Sequence, residues 1–553
     1  MLTCLDVHTR YPSGWTSPPL TTQFPSGTLT LLVGDIGAGK STLLRTIAGI
    51  ATDVDHATVH GRITVNDTDL TATTAAHRST FLGYVPSTPT SAFLAATVEA
   101  HLAYPLESRG IPRPIIAQRI AETLSAVGAT TLRYRNVDTL SAGQAQRIAI
   151  AGALTLQPAV LLCDEPTTLL DPHSAHDLVS LLTRLAHEYG ITVIAADHRV
   201  SNYLDADHAL RLTSNGHVTG DIGAVLARTP AEPVTHTLTT RYTDTAHTSV
   251  GAARQALAPL LNHPPTTAPT PPTSPDQPSP TLILNGLTVH YRERDQRGTL
   301  HQRTALHQVN ATVNAGDVIA VLGSNGAGKT TLLAALIDPT LRTAGHLTWH
   351  HSTTTPGPQH RRPLWLPRRR TQPSTPPSRC AYLPAHASII LLHQRTDDEC
   401  AAADAEWNLT PGTTWSLAST LIPTLNPTTH PHDLSQGQQH LLALAVMTAG
   451  HPDIIILDEP TRSLDAQATA EVEKLITQWS QQGIPVLIAG HDVDSMARIA
   501  NRVWWLDAGE LVADTTPRAA LATSQFSAPL VTRVCHPHPV LTLEEAITLF
   551  EDR

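Results

Sequence analysis

The chain has 553 residues, enough for three or four domains of ordinary size or for two large ones. Charged residues make up 15% of it, against about 25% in average globular proteins. Its net charge of −10 disfavours a general nucleic-acid binder, which normally carries a strong positive field. The longest apolar runs are far shorter than the roughly 18 residues of a membrane span, so we expect no transmembrane segment.

The first residues show neither a basic stretch followed by an apolar core nor an Arg-rich pattern, so the sequence predicts no secretory or transit signal. We therefore expect a cytoplasmic protein. Its five cysteines are dispersed and odd in number, which predicts reduced thiols rather than a disulfide framework.

Apolar runs predict three buried strands in each half of the chain, each ending at a segment with candidate functional residues. In chain order, these strands cover residues 29–33, 159–163, 192–195, 318–322, 454–457 and 485–489. Helices are predicted at 41–50 and 330–337. Strands that alternate with helices predict an α/β fold with a mostly parallel sheet covered on both faces.

The predicted elements recur because the chain contains an internal duplication. The pattern G-x-x-x-x-G-K-[ST] occurs at 34–41 and again at 323–330. The segments Leu-Ser-Ala-Gly-Gln at 140–144 and Leu-Ser-Gln-Gly-Gln at 434–438 keep nearly the same offset, as do two Asp-Glu-Pro segments. Two homologous domains, at 1–228 and 282–553, are therefore predicted.

Between these domains, residues 229–281 are predicted to form a Pro/Thr-rich linker. Residues 264–280 contain 8 prolines in 17 positions, a composition that favours extended polyproline II structure. A second biased stretch, rich in Arg and Pro, covers residues 352–379 and is predicted to be an exposed insertion in the second domain.

Lysine is rare, since only three of the 37 basic residues are lysine and two of these three lie in the glycine-rich repeats. Arginine cannot replace lysine where a compact ammonium must fit a crowded anion site. In this pattern, the glycines turn backbone N–H groups toward a phosphate, and the following helix adds its positive end. The candidate nucleotide-binding residues are Gly34, Gly37, Gly39, Lys40, Ser41 and Thr42 in the first half, and Gly323, Gly326, Gly328, Lys329, Thr330 and Thr331 in the second.

An Asp-Glu pair follows the second predicted strand of each half. Asp164 and Asp458, together with the hydroxyls of Ser41 and Thr330, are candidate Mg²⁺ ligands. Glu165 and Glu459 are candidate catalytic bases for an attacking water. His198 and His491, which follow the third strand, are further catalytic candidates because they occupy matching positions in the two repeats.

With these motifs in place, the two halves resemble ATP-binding cassette nucleotide-binding domains, through the Leu-Ser-x-Gly-Gln segment that other P-loop classes lack. The resemblance implies ATP hydrolysis with Mg²⁺, a helical signature subdomain, and head-to-tail pairing of the two domains within the chain. It assigns adenine stacking to Tyr11 and Tyr291 and places Asp171 and Asp465 at the domain interface. The signature residues that it implies are Ser141, Gly143, Gln144, Ser435, Gly437 and Gln438.

The sequence departs from this family in one loop of each half. Family members usually have a Gln after the strand of the type Gly-Tyr-Val-Pro, and the resemblance gives that Gln a role in linking the site to a transmembrane partner. Here Ser87 and Ala385 occupy the position.

Within the family, the chain resembles the fused ATPase subunits of energy-coupling factor importers, which carry vitamins or transition-metal ions. The segments at 97–99 and 215–218 favour this subgroup. The resemblance implies a peripheral protein on the cytoplasmic face of the cell membrane, with transmembrane subunits and a substrate-binding membrane protein as candidate partners and no nucleic acid. The alternative is a soluble tandem cassette protein acting on the ribosome, but such proteins resemble one another in a charged helical connector that is absent here. A third alternative, a catalytically idle scaffold, is disfavoured by the complete Lys, Asp, Glu and His set.

Overall fold

A computed structural model describes residues 1–12, 14–213, 216–262, 280–294, 300–350, 380–522 and 528–551. The chain forms two compact units, Met1–Leu257 and Ala258–Arg553. The predicted 352–379 insertion and the proline-richest part of the predicted linker lie outside the described residues.

The first half contains ten strands and ten helices among the described residues. Its strands are β1 (Leu2–Arg10), β2 (Leu20–Phe24), β3 (Leu29–Gly34), β4 (Thr58–Val65), β5 (Thr68–Asp69), β6 (Leu82–Val85), β7 (Val160–Asp164), β8 (Thr192–Ala196), β9 (His208–Thr213) and β10 (Gly216–Gly220). Its helices are α1 (Lys40–Ala48), α2 (Ile50–Asp53), α3 (Ala75–Arg78), α4 (Val98–Glu107), α5 (Arg113–Ala126), α6 (Ala142–Leu154), α7 (Pro172–His187), α8 (Ile222–Leu226), α9 (Val234–Tyr242) and α10 (Val250–Leu261).

The second half contains nine strands and nine helices among its described residues. Its strands are β11 (Pro280–Arg294), β12 (Leu300–Asn314), β13 (Val318–Leu322), β14 (Ala344–Trp349), β15 (Cys380–Leu383), β16 (Ile454–Asp458), β17 (Val486–Ala489), β18 (Arg502–Asp507) and β19 (Glu510–Thr515). Its helices are α11 (Lys329–Ile337), α12 (Thr396–Trp407), α13 (Thr413–Leu421), α14 (Gln436–Thr448), α15 (Ala466–Gln481), α16 (Val493–Ile499), α17 (Pro517–Leu521), α18 (Leu530–Cys535) and α19 (Leu543–Glu551).

The predicted parallel sheet is present in each half. The first has the strand order β10-β9-β3-β8-β7-β6, and the second has the equivalent order β19-β18-β13-β17-β16-β15. All neighbouring strands are parallel except the final hairpin of each sheet. Because parallel strands bring their carboxyl ends to one edge, the loops after β3, β7 and β8 meet there.

Strand β3 shows why the strand sequences read as continuous apolar runs. Leu29, Leu31 and Val33 belong to one core, which includes α4 to α7, whereas Leu32 belongs to a second core on the other face. That second core is completed by α1 and by an antiparallel sheet of order β2-β1-β4-β5, which the sequence analysis does not predict. Both faces of the parallel sheet are therefore buried.

Each glycine-loop helix is capped at its C-terminal end by a buried or half-buried arginine. Arg78 donates hydrogen bonds from Nη1 to the carbonyl oxygens of Thr46 (2.8 Å) and Ile47 (3.0 Å) in α1. Arg342 donates to Ala335 (2.7 Å) and Leu336 (3.0 Å), the matching positions of α11. Equivalent carbonyls of the two helices are thus capped by arginines that stand at different distances along the sequence from their helix. Positive charge is favourable at the C-terminal end of a helix.

The predicted linker 229–281 is wrong over its first part, because residues up to 261 include α9 and α10. These helices follow the last hairpin of the first half as α18 and α19 follow that of the second, so the repeated unit includes a helical extension. Helix α9 is rich in threonine and follows Pro233, and this composition is typical of a linker. Its buried face, which includes Leu238, outweighs the low helix propensity.

No helix within the described ranges is both long enough and apolar enough to cross a membrane.

Candidate functional site

The glycine loop of each half leads from a buried strand into a helix, as predicted. Helix α1 begins at Lys40 and helix α11 at Lys329, each preceded by a glycine in the left-handed region, Gly39 with φ 92° and Gly328 with φ 104°. A side chain on Gly323 would collide with the chain, since its Cβ would lie 2.2 Å from the carbonyl oxygen of Leu506. These glycine positions therefore depend on the absence of a side chain.

The two lysines adopt the same conformation. Lys40 Nζ donates to the carbonyl oxygens of Gly34 (2.6 Å) and Asp35 (3.2 Å), and Lys329 Nζ donates to the corresponding carbonyls of Gly323 (2.8 Å) and Ser324 (3.1 Å). Each ammonium lies within a loop whose backbone N–H groups sit at the positive end of a helix. Gly37 and Gly326 also have positive φ in these loops.

The Asp of each Asp-Glu pair lies beside the hydroxyl predicted to share a cation with it. Ser41 Oγ donates to Asp164 Oδ1 at 2.9 Å, and burial raises the pKa of Asp164 to about 6. Burial also raises the pKa of Asp458, while a hydrogen bond with Thr330 opposes the rise. Among the described residues, Asp458 Oδ2 is buried without a hydrogen-bond partner. One carboxylate, one hydroxyl and an unsatisfied oxygen fit Mg²⁺, which takes few protein ligands and completes its shell with water and phosphate.

The predicted glutamate and histidine meet in both halves. His198 Nε2 lies 3.3 Å from Glu165 Oε1, and His491 Nε2 lies 3.3 Å from Glu459 Oε1. These side chains are 10% to 17% exposed, so water reaches them in a mostly enclosed setting. Both glutamates have a left-handed backbone, with φ 46° and 57°, a strained conformation for a residue other than glycine.

The signature segments begin helices α6 and α14. Ser141 accepts a hydrogen bond from the N–H of Gln144 (3.3 Å), and the Gln144 side chain accepts one from the N–H of Ser141 (3.1 Å). Ser435 and Gln438 form the same capping box. These residues therefore define a helix N-terminus, an end that favours anions. Gly143 and Gly437 lie in the first turns of the two helices, and Asp171 and Asp465 cap α7 and α15.

The two predicted aromatic residues lie next to the glycine loops. Tyr11 is hydrogen-bonded with Thr42, and the Tyr291 hydroxyl lies 3.5 Å from Thr331 Oγ1. The sequence analysis misses Trp15, whose ring centroid is 6.0 Å from that of Tyr11 and whose ring would lie 3.0 Å from a Cβ on Gly39. The sequence signal for Trp15 is its position, because it is a second aromatic residue only four positions after Tyr11.

Further neighbours of the candidate sites are not apparent from the motifs. In the first half, the Tyr84 hydroxyl donates to Asp164 Oδ2 at 3.4 Å. In the second, Arg462 Nη1 donates to the carbonyl oxygen of Ala385 at 3.3 Å, so this guanidinium reaches the loop that follows β15. Only the position of Arg462, three residues after Glu459, hints at this contact.

Each half therefore presents a glycine loop with its lysine, a buried carboxylate suited to a cation, and a glutamate-histidine pair at one edge of a parallel sheet. This combination defines a P-loop nucleotide hydrolase. The family model described as "ABC transporter" matches residues 18–168 and 306–462, more than half of the chain. The chain belongs to this family and hydrolyses ATP with Mg²⁺ as its cofactor.

Relatives match over nearly the whole length. A Streptomyces coelicolor protein is 34% identical, covering 98% of this chain and 99% of its own length, and a Streptomyces avermitilis protein is 35% identical, covering 94% of each. Both are named "Putative ABC transporter ATP-binding protein". Among solved structures, the archaeal ribosome recycling factor aABCE1, in complex with the ribosomal stalk protein aP1, aligns with a TM-score of 0.53 at 18% identity and covers 93% of this chain and 90% of its own. That likeness concerns the fold alone.

Proposed function

We propose that the chain is the ATP-hydrolysing subunit of an energy-coupling factor type importer, on the cytoplasmic face of the membrane, for a vitamin or a transition-metal ion. The observation that carries this proposal is the full-length match to relatives named as ABC transporter ATP-binding proteins, together with a complete catalytic set in each half. Transmembrane subunits are the partners that such a motor requires, with a substrate-binding membrane protein beside them.

We assign the steps of ATP hydrolysis to matched residues of the two halves. Lys40 and Lys329 hold the β- and γ-phosphates with the N–H groups of their loops. Glu165 and Glu459 accept a proton from the attacking water, and the histidine 3.3 Å from each glutamate orients that carboxylate toward the γ-phosphate. Mg²⁺, when bound, neutralises charge that develops on the phosphate oxygens.

The remaining assignments concern Asp164 and Asp458, which hold the Mg²⁺ shell with the neighbouring hydroxyls, and Tyr11 and Tyr291, which stack on adenine. Tyr11 lies beside Thr42 in the first turn of α1, and Tyr291 lies beside Thr331 in the first turn of α11, so both rings are next to the glycine loops. The signature serines supply donors to the γ-phosphate bound by the opposite half.

This last role requires the two halves to pair within one chain. A flexible tether holds a partner domain at an effective concentration on the order of millimolar, which favours intramolecular association. Cysteine pairs at Ser41 with Gln436 and at Thr330 with Ala142 test the pairing. We expect ATP-dependent crosslinks within single chains at high dilution; crosslinks only between chains, or equally strong without nucleotide, contradict it.

Copurification from gentle detergent tests the transporter assignment. Membrane proteins should copurify with the chain, and crosslinkers placed at Ser87 and Ala385 should capture them, because the family's partners dock at this loop. A control crosslinker at Asp67, an exposed turn of the first half, should capture less. Sedimentation with ribosomes and never with membranes would favour the ribosome-acting alternative and reject the transporter.

A further inference from the structure

The residue before each candidate histidine differs between the halves, although the strands leading to it match. The first half reads Ala-Ala-Asp-His, with Asp197, and the second reads Ile-Ala-Gly-His, with Gly490. Asp197 is 1% exposed, among the most buried carboxylates of the described residues. A carboxylate so far from water is retained only where hydrogen bonds replace its hydration.

Four hydrogen bonds do so. Asp197 Oδ2 accepts from the Thr167 hydroxyl (2.7 Å), the Thr167 N–H (3.4 Å) and the Tyr203 hydroxyl (3.1 Å), and Oδ1 accepts from the N–H of Arg199 (3.0 Å). Tyr203 is fully buried, and this burial raises its pKa well above the usual value. Tyr203 therefore keeps its proton and remains a donor to Asp197.

These bonds join the two segments that carry the catalytic pair of the first half. Thr167 lies two residues after Glu165, and Asp197 directly precedes His198. The Glu165 N–H also donates to the carbonyl oxygen of Ala196 at 2.7 Å. The segment that carries Glu165 and the segment that carries His198 are therefore hydrogen-bonded at more than one point. In the first half, a buried network therefore joins the segments of Glu165 and His198 in addition to this backbone bond, which the second half repeats between the Glu459 N–H and the carbonyl oxygen of Ala489 at 2.8 Å.

The second half lacks this carboxylate. A Cβ at Gly490 would lie 2.9 Å from Met496 Cε, so the methionine occupies the place where an Asp side chain would begin. The segment after Glu459 is instead tied by Arg462 to the carbonyl oxygen of Ala385. At the position of Arg462, the first half has Thr168, whose hydroxyl donates to Glu165 Oε2 at 3.1 Å.

We propose that Asp197 is a positioning residue for ATP hydrolysis in the first half only, because it fixes the segment of Glu165 against that of His198. The inference rests on the proposed roles of these two residues. It makes the two catalytic sites mechanically unequal, since the first is held by a buried carboxylate network and the second by a guanidinium that reaches a different loop. Small displacements of catalytic groups can slow a reaction about 10²-fold.

The experiment supplies the full chain with Mg²⁺-ATP at two molecules per chain and follows phosphate release in a single turnover. Asp197→Asn and Asp197→Gly should slow release 10- to 100-fold, with the glycine variant slower because asparagine keeps one acceptor oxygen. The slow phase covers half of the phosphate if the sites act independently and all of it if they are coupled. The Kd for ATP should stay within twofold of that of the wild type.

Asp207→Asn is the control, at a carboxylate that is less buried than Asp197. Asp207 also accepts a backbone N–H, from Leu29 at 2.8 Å, and a side-chain bond from His187, but away from the catalytic pair. Its release kinetics should match those of the wild type. Wild-type kinetics for both Asp197 variants would overturn the proposal, as would equal slowing by Asp207→Asn. Glu165→Gln separates this failure from that of the site assignment, because it must itself slow release if Glu165 is the base.

Discussion

Replacing Arg78 tests whether a buried guanidinium holds the end of the first glycine-loop helix. Besides Thr46 and Ile47, Arg78 donates to the carbonyl oxygens of Thr71 (3.0 Å) and Thr73 (3.2 Å). Arg78 is 2% exposed, and burial lowers the pKa of its guanidinium. The hydrogen bonds therefore offset only part of the cost of removing this charge from water. Arg78→Met keeps most of the apolar stem and removes all four donors.

The magnitude follows from these contacts. A buried carbonyl without a donor costs about 1 to 3 kcal/mol. Four carbonyls lose the donors of Arg78, although the carbonyl of Thr46 keeps the N–H of Gly49 at 3.1 Å. Removing the guanidinium returns several kcal/mol of unfavourable burial. The free energy of opening α1 should therefore fall by about 3 kcal/mol, a factor of roughly 10² in its equilibrium constant. Arg342→Met should cost about 1 kcal/mol at α11, because the half-buried Arg342 can be replaced by water.

Hydrogen exchange with mass spectrometry measures this opening locally. Peptides covering residues 46–53 should exchange about 10²-fold faster in Arg78→Met, whereas peptides of α11 should not change. The Arg342→Met variant should show the reverse pattern with a smaller effect. Unchanged exchange at the end of α1 would refute the reasoning, and so would uniform acceleration across the whole first half.

Two further predictions concern catalysis. The double variant Glu165→Gln with Glu459→Gln should slow steady-state ATP turnover by about 10² to 10⁴ while keeping ATP binding, as loss of a positioned base requires; wild-type turnover would reject the base assignment. The pKa of Asp164 is raised to about 6, so its carboxyl group is protonated below that pH in the folded protein. Protonation removes the unfavourable burial of its charge, which stabilises the metal-free fold as the pH falls below 6. The same proton competes with Mg²⁺ for the carboxylate. Calorimetry on the Lys329→Ala variant, in which the second site is weakened, should show that the first site binds Mg²⁺ about tenfold more weakly at pH 5 than at pH 7. The additional change Asp164→Asn should abolish this pH dependence.

The strands and glycine loops are predictable because their signals are local. Strand β13 begins and ends where its apolar run does, and the glycine loops precede α1 and α11 as their motifs require. The proximity of Glu165 and His198 could also have been predicted, since carboxyl ends of parallel strands meet at one edge.

The remaining features depend on tertiary contacts that no local pattern encodes. Asp197 meets Tyr203 and Thr167 only once the sheet has formed, and Arg78 reaches α1 across 31 residues of chain. The antiparallel sheet was missed because β1 has an irregular register against both of its neighbours, which breaks the alternation that signals a strand.

The left-handed backbone of Glu165 and Glu459 also has a consequence for selection on this protein. That conformation costs a residue other than glycine about 1 kcal/mol or more. In this chain it occurs at both residues proposed as catalytic bases. Glycine at either position would relax the turn and raise the thermal midpoint while removing the carboxylate. Random mutagenesis screened for heat resistance alone should therefore enrich inactive proteins at these two codons, and only a screen that also demands ATP turnover would retain the glutamates.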